Sequence, residues 1–149
     1  FVSKFMENML CEVKRAATST AGHDRVVDNI RTEIKFALAT RARKGGVVND
    51  KFIINHVSVC KDWERLIFCG INPSDSDLRI FYITKEDFEA HLKSDDCLFN
   101  VQQGGQNGGN DDYICTNVAA LMQTAIARPI FQWSCDSVQT GNKTAAIAA

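Results

Sequence analysis

Gly22-His23-Asp24-Arg25-Val26-Val27-Asp28-Asn29-Ile30-Arg31-Thr32-Glu33-Ile34-Lys35-Phe36-Ala37 is the stretch that decides how this chain reads. Arg25 to Val27 is a short extended run, Asp28-Asn29 is a turn pair, and Arg31 to Thr40 is a longer strand, which together predict a tight hairpin. Side chains alternate across a strand. Thr32, Ile34, Phe36 and Leu38 are therefore expected on one face, packed on a core, with Arg31, Glu33, Lys35 and Ala37 on the other. A carboxylate and an ammonium two positions apart, on a strand anchored from behind, form a rigid platform for chemistry. The turn folds the first strand back and brings Asp24 toward Glu33. Two converging carboxylates repel unless a cation lies between them. Hard oxygen ligands without a His or Cys partner favour Mg²⁺ or Mn²⁺.

Upstream, Val2 to Ala17 reads as an amphipathic helix, with Val2, Phe5, Met6, Met9, Leu10 and Val13 lining one face. Downstream, Lys51 to Val59 alternates in part and predicts a strand. Leu66 to Ile71 is a continuous apolar run, the pattern of a central strand covered on both faces. Asn72-Pro73-Ser74-Asp75 carries turn chemistry, and Arg79 to Ile83 is a further strand. Thr84 is expected to cap a helix with Asp87 three residues on, running to about Lys93 and burying Phe88 and Leu92. Leu98 to Val101 and Tyr113 to Thr116 are short extended segments either side of a polar glycine-rich loop, Gly104 to Asn110, and Asn117 to Ala127 reads as a last helix. The layout is α/β: a largely sequential, central mixed β-sheet flanked by helices. One domain is expected over residues 1–140, with a simple tail at 141–149.

The bulk numbers agree with that frame. A chain of 149 residues has the size of one domain, and 45% hydrophobic with 23% charged residues is globular. The formal net charge of −1 provides no global field for a polyanion, so positive charge must act locally. No apolar run approaches the ~20 residues of a membrane span, and Lys4 and Glu7 interrupt the start where a leader would be apolar. The six cysteines form no C-x-x-C pair and several lie in apolar stretches, so buried, reduced thiols in a cytoplasmic protein are expected.

The Asp24, Glu33, Lys35 pattern resembles the PD-(D/E)XK nuclease superfamily, in which an Asp opens a hairpin and an acid-x-Lys triplet follows on the next strand. Residues 1–93 also resemble the type II restriction endonucleases of that superfamily, through Phe52 to Val57, Asp62-Trp63, Arg65 to Gly70, Ile71-Asn72-Pro73, Arg79 to Ile83 and the helix from Lys85. The resemblance implies a restriction-endonuclease-like core and Mg²⁺- or Mn²⁺-dependent hydrolysis of DNA phosphodiester bonds. Asp24, Glu33 and Lys35 would be catalytic, with Asp24, Glu33 and the Ile34 carbonyl as metal ligands. It also implies a further acid from the leading helix, Glu7 or Glu12, with Glu12 preferred as nearer the site end. Where the family often has Pro before the first Asp, this chain has His23, and Asp28 is a rival first acid.

Each feature also has a plainer reading. Glu33 and Lys35 could form only a surface salt bridge. Arg41, Arg43 and Lys44 suit phosphate contacts beside the site, or a solvated loop; Gln102 to Asn110 suits a DNA groove, or a mobile surface loop. His56 is expected on a half-buried strand, and Trp63 and Trp133 in the core or at its rim. The rivals to a restriction-like enzyme are a repair or junction-resolving nuclease on the same fold and a non-catalytic DNA-binding module. Cutting both strands of a duplex commonly needs two active sites, so a homodimer is expected by analogy.

Overall fold

The computed structural model describes residues 1–18, 21–39, 52–72, 77–102 and 111–133. Its elements are α1 (Val2–Asn8), β1 (Val13–Arg15), β2 (Arg25–Val27), β3 (Ile30–Leu38), β4 (Ile54–Ser58), β5 (Arg65–Asn72), β6 (Asp77–Thr84), α2 (Lys85–His91), β7 (Asn100–Val101), β8 (Asp112–Cys115), α3 (Val118–Leu121) and β9 (Arg128–Trp133). The architecture is mixed α/β, rich in strands and with few helices among the described residues.

The apolar run 66–71 becomes the heart of β5, where every residue from Leu66 to Gly70 is buried. A strand covered on both faces needs a sheet with two cores, and there are two. Leu66 and Phe68 on β5 join Phe81 and Ile83 on β6 in the larger core, with Phe52, Ile54, Val57, Trp63, Phe88 and Leu121 packed over them. Ile67 and Cys69 point the other way, to Ile80, Val27 and the α1 residues Val2 and Met6. The main sheet has the order β1-β2-β3-β5-β6-β9, and β4-β8-β7 form a second, smaller sheet. Among the described residues only β3 and β5 pair in parallel, and the chain between them contributes β4 to the smaller sheet.

The hairpin forms as the sequence predicts. Asp28 and Asn29 both take positive φ, 51° and 64°, the conformation of a two-residue type I′ turn. Thr84 caps α2 by accepting from the Asp87 amide at 3.1 Å. Other expectations are corrected. The leading helix stops at Asn8 instead of Ala17. Leu10, at φ 66°, closes it: its amide reaches the Glu7 carbonyl and the Cys11 amide reaches that of Met6, the paired bonds of a Schellman turn. Val13–Arg15 then pair with β2, because edge pairing outweighs their modest helical preference. The last helix is a single turn, Val118–Leu121, and α2 ends at His91. The sheet is less sequential than expected, and β9 supplies an edge strand that has no counterpart among the expected elements. Its Pro129 sits beside a register shift between Ile80 and Phe81, where a missing amide is tolerated.

Thiol burial is mixed. Cys69 and Cys115 are buried, Cys11 and Cys97 are half-buried, and Cys60 is exposed, all as free thiols. Burial pushes the Cys69 thiol up to about 11, so it stays protonated and unreactive at neutral pH. No helix among the described residues is long and apolar enough to cross a membrane. Trp63 is a core residue whose indole donates to the Ser58 carbonyl at 2.8 Å. The expected tail, 141–149, the glycine-rich loop from Gly104 to Asn110 and Cys135 lie outside the described residues.

The two faces of β3 are buried in an unexpected pattern. Thr32 is fully buried and Ile34 packs on the smaller core, but Phe36 is 52% exposed and Leu38 is exposed with it. A seven-residue α1 covers Ile34 and leaves an open cavity of about 500 Å³ between Phe1, Val2, Ser3, Asp24, Arg25, Ile34 and Phe36. Phe68→Ala should therefore cost about 3–5 kcal/mol through the cavity it leaves in the larger core. Phe36→Ala should stay within about 0.5 kcal/mol. Urea denaturation of the two variants measures both, and equal losses would contradict this division of the faces.

Candidate active site

The site is built on the β3 ladder. Glu33 is the register partner of Leu66, Lys35 of Phe68 and Ala37 of Gly70, which puts all three on the face of the larger core. The acid and the lysine are therefore more enclosed than a solvated strand face allows: their side chains are 5% and 16% exposed. The Lys35 ammonium lies 2.8 Å from Glu33 Oε1. A second ammonium, from Lys61, donates to the same oxygen at 3.3 Å. Lys61 is 46% exposed and approaches from the loop between β4 and β5.

Asp24 lies where β2 leaves the ladder. Arg25 is the register partner of Thr32, yet the Asp24 amide reaches that same Thr32 carbonyl at 3.0 Å. Two residues opposite one is the pattern of a β-bulge, which re-aims a side chain. The Asp24 carboxylate accordingly accepts from the Ile34 amide at 2.7 Å. Ile34 is the residue between Glu33 and Lys35, and in extended backbone its carbonyl points to the same strand edge as its amide. Asp24 also lines the open cavity, and its own carbonyl accepts from Arg25 at 2.7 Å. Arg25 in turn donates to Ser3 at 3.1 Å, tying α1 to this edge.

The loop carrying Lys61 is braced from several sides. A Cβ at Gly22 would land on the Asp62 backbone, so only glycine allows this close approach. His23 Nδ1 donates to the Asp62 carbonyl at 3.0 Å. Arg31 pairs with Asp62 at 2.9 Å and with Glu64 at 3.1 Å. Lys85 donates to the Lys61 carbonyl at 2.7 Å and stands over the Trp63 ring. The Arg31 backbone amide, helped by its guanidinium, holds the Glu64 carboxyl below its ordinary range.

The structure thus brings Glu33, Lys35 and Asp24 to one short length of β3, the two acidic groups at its face and its edge. Among the described residues, no three His, Cys, Asp or Glu side chains gather as a metal-binding group. Glu12 is placed elsewhere: its amide donates to the Asp28 carboxylate at 2.7 Å, at the turn end of the hairpin. Because the leading helix ends early, Glu12 sits beyond it, at the far end of β2 from Asp24, and pairs with Lys14. Glu7 pairs with Lys4 within α1. Asp28 serves the turn. His56 takes φ 54°, is exposed, and binds Asp112 through Nδ1 at 2.9 Å. Arg41, Arg43 and Lys44 lie outside the described residues. Lys61 was not legible in the sequence: it stands 28 residues from Glu33, and no motif spacing marks it.

The exposed Asp24 carboxylate thus stands at the strand edge on the Ile34 amide, and the enclosed Glu33 carboxylate, paired with Lys35, belongs to the next residue of the strand. Two stability tests follow. Lys35→Met leaves the enclosed Glu33 with Lys61 alone. It should cost about 1–3 kcal/mol, less than the ~3–5 of a fully buried pair losing one partner, and adding Glu33→Gln should recover part of the loss. Chemical denaturation of the two single variants and the double variant measures this, and strict additivity would contradict the pairing. The depressed Glu64 carboxyl makes its brace complete above the ordinary carboxyl range near pH ~4.3 and weaker as pH falls through the lowered folded value. Hydrogen exchange should show the Arg31 amide, which donates to the Glu64 carboxylate, losing protection in that window, and Glu64→Gln should remove the pH dependence.

No protein-family model matches the chain, and no curated protein matches it.

Proposed function

We propose that the protein is a metal-dependent endonuclease that hydrolyses DNA phosphodiester bonds, on a restriction-endonuclease-like core and with type II restriction-like activity. The observation that carries this reading is the Asp24 carboxylate bonded to the amide of Ile34, between an acid and a lysine that share one face of β3. A tight hairpin and a two-residue spacing bring the groups together, as the PD-(D/E)XK resemblance implies. The parallel β3–β5 pair behind them supplies rigidity.

Asp24, Glu33 and the Ile34 carbonyl would hold Mg²⁺ or Mn²⁺. When bound, such an ion neutralises charge on the phosphodiester and acidifies water. Lys35 acts from a fixed position. Its stem is enclosed against the larger core and its ammonium is held at 2.8 Å by Glu33, so it can orient a water and offset charge developing on the phosphate without first being ordered. The Ile34 amide orients the Asp24 carboxylate at the strand edge, at the residue next to Glu33. Arg41, Arg43 and Lys44 would contact the DNA backbone.

One observation favours a second reading. Glu33 already has two ammonium partners, as suits a non-catalytic DNA-binding module in which the acid only braces the strand. Divalent-dependent cleavage separates the two. The assay is incubation with mixed plasmid and branched DNA, in Mg²⁺ and in chelator. Cleavage of duplex plasmid in Mg²⁺ alone is expected, and cutting confined to branched DNA would point to a junction-resolving nuclease. Lys35→Ala should lower cleavage by at least a hundredfold, the scale of losing a preorganised donor. Lys35→Arg should not restore it, because a planar guanidinium cannot replace a compact ammonium. Asp24→Asn should also abolish cleavage, with partial recovery in excess Mn²⁺. Circular dichroism and denaturation establish that each variant is folded, and full activity in folded Lys35→Ala would exclude this site.

A further inference from the structure

The two ammonium groups on Glu33 differ in a way that the motif does not anticipate. Both reach the same carboxylate oxygen, Lys35 at 2.8 Å and Lys61 at 3.3 Å. The Lys35 side chain is 16% exposed and sits on the strand itself. The Lys61 side chain is 46% exposed and makes the longer contact, from a loop whose backbone is pinned by Gly22, His23, Arg31 and Lys85. A pinned backbone with a half-exposed ammonium means that the group can leave the carboxylate while the loop stays in place. Three formal charges meet here, one negative and two positive, so the cluster carries one net positive charge. That charge opposes any further cation approaching Glu33.

We propose that Lys61 is a positioning residue that acts as a resident counter-cation, competing with a divalent ion for Glu33 and giving up the carboxylate when the ion binds. The proposal rests on the metal-dependent reading of the site. Lys61 keeps the enclosed carboxylate neutralised and in place while no ion is present, so Glu33 need not relax into another pairing. Lys35 keeps its contact throughout. The divalent ion therefore binds more weakly than the oxygen donors alone would dictate, and Lys61 sets by how much.

The test measures Mn²⁺ binding by isothermal calorimetry and by the loss of the free-ion electron paramagnetic resonance signal, with no DNA and no turnover. The proteins are the wild type, Lys61→Met, Lys61→Arg and Glu33→Gln. Lys61→Met keeps most of the stem and removes the charge, and should tighten Mn²⁺ binding roughly tenfold, the factor Coulomb's law gives for a divalent and a single charge about 6 Å apart in water. Lys61→Arg keeps the charge and should stay close to the wild type. Glu33→Gln should weaken binding. A purely structural role for Lys61 would alter thermal stability and leave Mn²⁺ affinity unmoved. Equal affinity in wild type and Lys61→Met, with loss in Glu33→Gln, overturns the role of Lys61 and leaves the nuclease reading standing. Binding that is indifferent to Glu33→Gln, or absent from both wild type and Lys61→Met, overturns the proposal together with the metal site on which it rests.

Discussion

Seven register pairs, from Thr32–Arg65 to Leu38–Ile71, tie β3 to β5 in parallel, and the arrangement of the site follows from that ladder. Parallel strands cannot be joined by a tight turn. The chain must leave the sheet after Leu38 and return at Arg65, and on the way it builds β4 and the loop that carries Lys61. The same pairing places Glu33 beside Leu66 and Lys35 beside Phe68, against the larger core. Enclosing a carboxylate there is costly without a cation, and two lysines meet that need from different parts of the chain.

Opposed to this enclosed face is an open edge. β2 is only three residues long, so its pairing with β3 ends at Thr32 and exposes the next stretch of strand edge. Asp24 occupies the first free amide there and stands in for a continued strand. A short α1 roofs Ile34 and leaves the cavity at Phe36 open. The site thus joins an apolar core that holds Glu33 and Lys35 still with an accessible edge that presents Asp24. Had β2 been longer, its backbone would have filled the position that the Asp24 carboxylate takes.

Much of this was readable in the chain. Asp28-Asn29 dictates a hairpin because few other pairs tolerate two consecutive positive φ angles. The unbroken run around Leu66 to Ile71 dictates a doubly covered strand, and Thr84 dictates a helix start. The two-residue spacing of Glu33 and Lys35 and the hairpin that returns Asp24 toward them are set by local sequence. These are local constraints, set within a few residues, and they survive in the fold. The segment from Val2 to Ala17 does not stay helical throughout, because helical periodicity there competes with an edge-strand partner that lies further along the chain.

What the sequence by itself determined is the hairpin, the central strand and the local association of an aspartate with an acid-x-lysine strand. Only the tertiary structure decided which face of β3 is enclosed, because alternation assigns side chains to two faces and does not say which face receives the larger core. Only it decided that Glu12 stands at the wrong end of the hairpin for Asp24, since helix length there is set by competition with strand pairing. And only it brought Lys61 to Glu33, 28 positions earlier in the chain, because contacts made through a parallel crossover depend on where the chain re-enters the sheet, which no short-range pattern encodes.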